Sequence, residues 1–143
     1  MFNPSQQDVR RFFCETFQKM RENGILTPLE TIAADWISQH PEYHDDLSDT
    51  ERALEANYAV DQGKTNPFLH LSMHLSISEQ ISIDQPRGVK AAFFALANRF
   101  GNEHDAHHEM MEALGQMIWT SQRSGLPPDG QAYMDDLARR ARG

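Results

Sequence analysis

Apolar residues recur along this chain every three or four positions, the period of a helix with one face against a core. Val9, Phe12, Phe13, Thr16, Phe17 and Met20 make the first such face, with Asn3 and Pro4 placed to start the helix and Gly24 to end it. Cys14 falls off that face, and with no cation pattern beside it reads as an inert thiol. Thr27-Pro28-Leu29-Glu30 has the form of a capping box with proline at the first helical position. It opens a second helix with Leu29, Ile32, Ala33, Trp36 and Ile37 on one side. The same spacing reaches His40, where Pro41 stops the helix, so His40 is expected on the core side of a helix end. Ser48 and Glu51 look like a further capping box and predict a short helix to about Tyr58, followed by a loop over 59–65.

Asn66 and Pro67 suit the cap and first position of the next helix. His70 and His74 lie in the middle of its stripe with Met73, Ile77 and Ile81, while Phe68, Leu71 and Leu75 make a second apolar strip. Asp84 is placed to cap a fourth helix bearing Val89, Ala92, Phe93, Leu96, Ala97 and Phe100, closed by Gly101. Asn102 opens a long fifth helix, whose expected core stripe is His104, His108, Met111, Gly115 and Ile118, flanked by Glu112 and Trp119. Gly115 lowers helix propensity, which predicts another helix passing close to it. Gly125 and Pro127-Pro128 end that helix, and Asp129 caps a last one with Tyr133, Met134 and Leu137. No strand-like alternation and no internal repeat is present. The pattern predicts an all-α, compact helical bundle of about five main helices plus short ones, as a single domain over 1–143.

The totals narrow the function classes. At 143 residues the chain is long enough for one sizeable core, and 39% hydrophobic with 24% charged residues is ordinary for a globular protein. A net charge of −8 argues against nucleic acid as a partner. No apolar run approaches a membrane span, and residues 1–8 lack the form of a signal peptide. The single cysteine excludes an internal disulfide, and a cytoplasmic location is expected.

Chemistry enters with the histidines. Two imidazoles on a core stripe require partners, since an unsatisfied buried polar group costs about 1–3 kcal/mol. His70 and His74 are one helical turn apart, and so are His104 and His108, the spacing by which a helix offers two imidazoles to one ion. Short connections favour antiparallel neighbours, so the third and fifth helices would run parallel and bring both pairs to one end of the bundle, with His40. His70, His74, His104 and His108 are therefore the first-choice metal ligands. His40 joins them, and Glu112, one turn after His108, supplies a carboxylate ligand or a base. Such ligands suit a divalent transition metal such as zinc, iron or nickel, and not magnesium or calcium. The competing expectation is a buried polar network that fixes helix register. His44 and His107 read as surface residues, Glu79 projects away from the His70/His74 stripe, and Met110, Met111 and Met117 read as packing.

Phe2-Asn3-Pro4-Ser5, His40-Pro-Glu-Tyr-His44, the run from Asn66 through His74 with Ser82-Ile-Asp-Gln-Pro86, and the Glu103–Trp119 helix followed by Gln122-Arg-Ser-Gly-Leu-Pro-Pro-Asp129 resemble the bacterial family of domain of unknown function 1841. The resemblance covers nearly the whole chain and implies a bacterial, cytoplasmic, single-domain protein. It implies no catalytic residue.

Four functions compete at this point. The first is a metal-binding bundle, extending to a metal-dependent hydrolase with an open coordination position. The second is a hemerythrin-like iron- or oxygen-binding bundle, suggested by the spacings of His70/His74, His108/Glu112 and His40/Asp45, although their order differs and Pro41 interrupts the last. The third is a metal-dependent phosphohydrolase marked by a His-Asp pair, resting only on His44-Asp45. The fourth is a non-enzymatic interaction or oligomerisation protein with a structural histidine network. There Phe2, Phe12, Phe13, Phe17 and Trp119 exceed what one small core needs, and a homo-oligomer is the expected partner arrangement.

Overall fold

In the computed structural model, which describes residues 5–58 and 66–143, the regular elements are all helical. They are α1 (Gln6–Arg21), α2 (Pro28–Ser38), α3 (His44–Leu47), α4 (Thr50–Glu55), α5 (Pro67–Ile83), α6 (Val89–Phe100), α7 (Glu103–Ser124) and α8 (Gly130–Arg142), with a 3₁₀ turn at Pro41–Tyr43. No strand occurs among the described residues. No helix is long and apolar enough to cross a membrane among them. The chain forms two compact units, Met1–Leu75 and Ser76–Gly143, whose boundary falls within α5.

In the first unit, α1 packs on α2, α3 and α4. Ser5 and Asp8 form the capping box that starts α1, so the start lies two residues beyond the expected Asn3, which with Pro4 falls outside the described residues. Thr27 and Glu30 form the expected box on α2. The expected Ser48/Glu51 box is replaced by Asp49, whose carboxylate accepts from the Arg52 amide at 3.2 Å. Residues 59–65, read as a loop, lie outside the described residues. The core joins Phe13, Phe17, Ala33, Trp36, Ile37 and Leu47 to Phe68 and Leu71 of α5. Three details depart from the expected pattern. Cys14 is buried in that core, and burial raises its thiol pKa, which keeps it unreactive. Leu29 and Ile32 are exposed, because α2 buries only the Ala33, Trp36 and Ile37 side. Asn23 adopts the left-handed conformation after α1, at φ 55°, in place of Gly24. Arg10, buried on α1, donates through Nη1 to the carbonyls of Ala53 at 2.8 Å and Ala56 at 2.7 Å, satisfying the end of α4.

In the second unit, α6, α7 and α8 pack against one another. Gly88, at φ 94°, takes the N-cap position of α6 expected for Asp84, whose Oδ1 instead accepts from the amides of Gly88 at 3.1 Å and Lys90 at 3.0 Å across the preceding turn. Asn102 caps α7, and Gly101 and Gly125 hold the left-handed residues that close α6 and α7. The buried face of α7 is Ala106, His107, Met110, Met111, Ala113 and Leu114, rotated from the expected stripe, and Ile118 is exposed. Among the described residues nothing lies within 4 Å of a Cβ built on Gly115, so no close helix explains that glycine. Tyr133 of α8 is buried and donates its hydroxyl to Gln80 Oε1 at 2.8 Å; burial pushes its pKa up to about 12.

Candidate metal centre

Two local stops in the sequence place three histidines of the first unit. At the end of α2, Pro41 offers no amide hydrogen, and His40 leaves the helix at φ −127° to cap the 3₁₀ turn. At the start of α5, Asn66 Oδ1 accepts from the amides of Phe68 at 3.0 Å and Leu69 at 3.1 Å, which fixes where the helical turns begin. His70 and His74 then fall one turn apart, beside the buried Phe68 and Leu71. His40 and His74 are buried and His70 is half-buried.

The three rings form a triangle. Their centroids are 4.9 Å apart for His40 and His70, 4.9 Å for His40 and His74, and 4.8 Å for His70 and His74. His40 and His74 each offer a ring nitrogen within 4.8 Å of the other. His40 Nδ1 lies 2.7 Å from the Trp36 carbonyl, which can only accept. That nitrogen therefore carries the hydrogen, and in the neutral ring Nε2 holds the lone pair. Nε2 of His40 faces Nε2 of His70 at 3.2 Å. Two nitrogens bound at tetrahedral angles to one ion about 2.0–2.1 Å away are separated by about 3.3–3.4 Å. The observed separation is within a few tenths of an ångström of that value.

Aromatic rings back this triangle. The Trp36 indole stacks on His74 with centroids 3.9 Å apart and planes 15° apart. Tyr43 is parallel to His40 at 5.3 Å and 2°, and meets His70 edge-on at 5.8 Å. Burial raises the Tyr43 phenol pKa, with the charges of Glu42 and Asp46 adding to it. Tyr43 and Trp36 were not singled out as site residues in the sequence. The signal for them is position, Trp36 four residues before His40 and Tyr43 three after it, around a helix-stopping proline. His44, expected at the surface, is half-buried against Phe17 at 4.8 Å, and its Nε2 donates to the Ile37 carbonyl at 3.0 Å.

In the second unit His104 and His108 repeat the facing arrangement, Nε2 to Nε2 at 3.1 Å with ring centroids 4.5 Å apart. His107, expected at the surface, is buried, with its ring edge-on to Phe93 at 5.5 Å. Burial, together with the charges of His104 and His108, lowers its pKa to about 4, so it is neutral at pH 7. Glu112 is not brought to these rings by its contacts. Its carboxylate accepts from Arg140 Nη1 at 2.8 Å, in a cluster that also holds Glu109 at 2.9 Å and Asp136 at 3.1 Å. Burial disfavours the Arg140 charge, but those three carboxylates outweigh it and raise the guanidinium pKa.

Of the six residues expected as ligands, His40, His70 and His74 stand together in the first unit. His104 and His108 stand together in the second, and Glu112 is engaged by Arg140. A family model described as domain of unknown function (DUF1841) matches residues 5–139. No curated protein and no solved structure matches the chain.

Proposed function

This chain belongs to the DUF1841 family, and we propose that it is a metal-binding helical protein whose ion is held by His40, His70 and His74. One observation carries the reading: His40 Nε2, the nitrogen left with the lone pair because Nδ1 donates to a carbonyl, faces His70 Nε2 at 3.2 Å with His74 beside both. A buried or half-buried set of three imidazoles, with no thiolate and no carboxylate, selects borderline divalent ions such as zinc, nickel or ferrous iron over magnesium and calcium. Trp36 supplies what ligating histidines need behind them, an acceptor that fixes ring and tautomer. An ion with three imidazole ligands keeps a water in its remaining position and lowers that water's pKa towards 7, the chemistry of a hydrolase. His104 and His108 enter the proposal as a second chelating pair. Glu112, held by Arg140, is left out of it as ligand or base.

The competing reading is a hydrogen-bonded network. A separation of 3.2 Å also suits a direct bond in which His70 Nε2 donates to His40 Nε2. Elemental analysis of protein purified without an affinity histidine tag decides between them. The expected result is zinc, iron or nickel near one ion per chain, lost in a His40→Ala/His70→Ala protein that still shows a helical circular dichroism spectrum. Metal retained in His104→Ala/His108→Ala assigns the ion to the histidines of the first unit, and its loss there overturns that assignment. Absence of metal from the unaltered protein, even after reconstitution with each ion, leaves the network as the function of these rings.

A further inference from the structure

We infer that Trp36 is a positioning residue for the metal centre, setting His40 through its carbonyl and His74 through its indole. The inference rests on the reading of His40, His70 and His74 as ligands. Trp36 touches two of the three rings in different ways. Its carbonyl oxygen accepts from His40 Nδ1 at 2.7 Å, four residues along the same helix end. Its indole lies almost flat on His74 at 3.9 Å and 15°, across to α5. The first contact leaves only Nε2 of His40 to donate a lone pair. The second hinders rotation of the His74 ring about χ2, which would tip it out of the stack, and so fixes the plane in which its nitrogens lie. Neither contact requires the ion itself.

The core does not need an indole to achieve this burial. Trp36 is 7% exposed among Phe13, Phe17, Ala33 and Ile37, where any large apolar side chain would exclude water. What an aliphatic chain lacks is a flat face to stack on an imidazole. A phenyl ring keeps that face. Leucine keeps much of the bulk and loses the face. The two substitutions therefore separate positioning from packing.

The arrangement also makes Trp36 a built-in reporter. The chain has two tryptophans, and the second, Trp119, is exposed on α7. In a Trp119→Phe protein the remaining emission comes from the indole stacked on His74. Nickel or copper bound at His74 is then expected to quench it, with an end-point at one ion per chain.

The test takes the full chain in the Trp119→Phe background and titrates it with nickel, with affinities measured against a competing chelator. Quenching that saturates at one equivalent and disappears in His74→Ala is expected. Trp36→Leu should bind nickel about 10–100-fold more weakly, the usual effect of disturbing a group behind a ligand, while Trp36→Phe stays within about threefold. A Trp36→Leu protein that folds and keeps the parent affinity overturns the inference. So does nickel bound stoichiometrically without quenching, an outcome that leaves the metal reading standing. If Trp36→Leu does not fold, the quenching and its His74 dependence decide alone. A parent protein that binds no metal by elemental analysis overturns both readings together.

Discussion

His40 and His44 flank one proline, yet their ring nitrogens have opposite commitments. His40 uses Nδ1 on a carbonyl and turns Nε2 toward His70, whereas His44 spends Nε2 itself on the Ile37 carbonyl. Only the first turns its outer nitrogen toward another imidazole. His40→Ala is therefore expected to weaken metal binding by at least about 100-fold, and His44→Ala to leave it within about threefold. Chelator competition on both variants checks this, and equal losses would refute the assignment of roles. A different histidine contributes to acid stability. The His107 pKa, about 4 in the folded protein, lies below the ordinary 6.5 of an unfolded chain. Between those values the unfolded state binds more protons, so stability falls as pH drops. The contribution is complete above pH 6.5 and lost as pH falls to about 4, and amounts to about 3 kcal/mol across that window. Urea unfolding of metal-free protein at pH 7.5 and 4.5 should show a loss about 2–3 kcal/mol smaller in His107→Gln than in the parent. Identical losses would place the acid sensitivity elsewhere.

At the scale of single elements, glycine 115 gives the simplest forecast. It sits inside α7, at a helical backbone conformation, with open space where a Cβ would go. Gly115→Ala is expected to stabilise the protein by about 0.5–1 kcal/mol, since alanine gains helix propensity and meets nothing. A shift of the urea midpoint to lower concentration would mean that α7 has a neighbour there in solution. The sequence led to the wrong reason for Gly115 because propensity is local and the space around a helix is not. The same division explains which elements were legible. Thr27, Asn66, Asn102 and Asp129 were all readable as caps, because each bonds an amide two or three residues on. The Arg10 contacts with α4 and the Arg140 contacts with Glu109 and Glu112 were not, because they join residues 28 to 46 positions apart. The turn of α7 about its axis was misread for a related reason. Its histidines and its Ala106, Met110, Ala113 and Leu114 form adjoining stripes, and only packing decides that the second is the deeper. His107 then belongs to the core, and the His104/His108 pair to its edge.

Over the whole molecule charge and site reinforce one another. Of the net −8, the unit Met1–Leu75 carries −6, with 12 acidic against 6 basic side chains. That unit also holds His40, His70 and His74, so its negative charge favours the approach of the cation proposed for the three imidazoles. The proposed ligands come from the turn that follows α2 and from α5, far apart in sequence, and an ion binding all three would bind the folded state only. Its free energy of binding thereby becomes stability. With free zinc or nickel at about 100 times its dissociation constant, the gain is about 2.7 kcal/mol. For domains of this size that corresponds to a rise in melting temperature of at least about 5 °C. Thermal unfolding followed by helical circular dichroism, in zinc or nickel and then in excess chelator, should show this rise and its reversal. His70→Ala should show neither, while His44→Ala should behave as the parent. Because the gain scales with the logarithm of free metal, successive tenfold additions should each raise the midpoint by a similar step. A midpoint that does not move across such a series would mean that the ion has no preference for the folded chain. The three rings would then hold α2 and α5 together by their own hydrogen bonds.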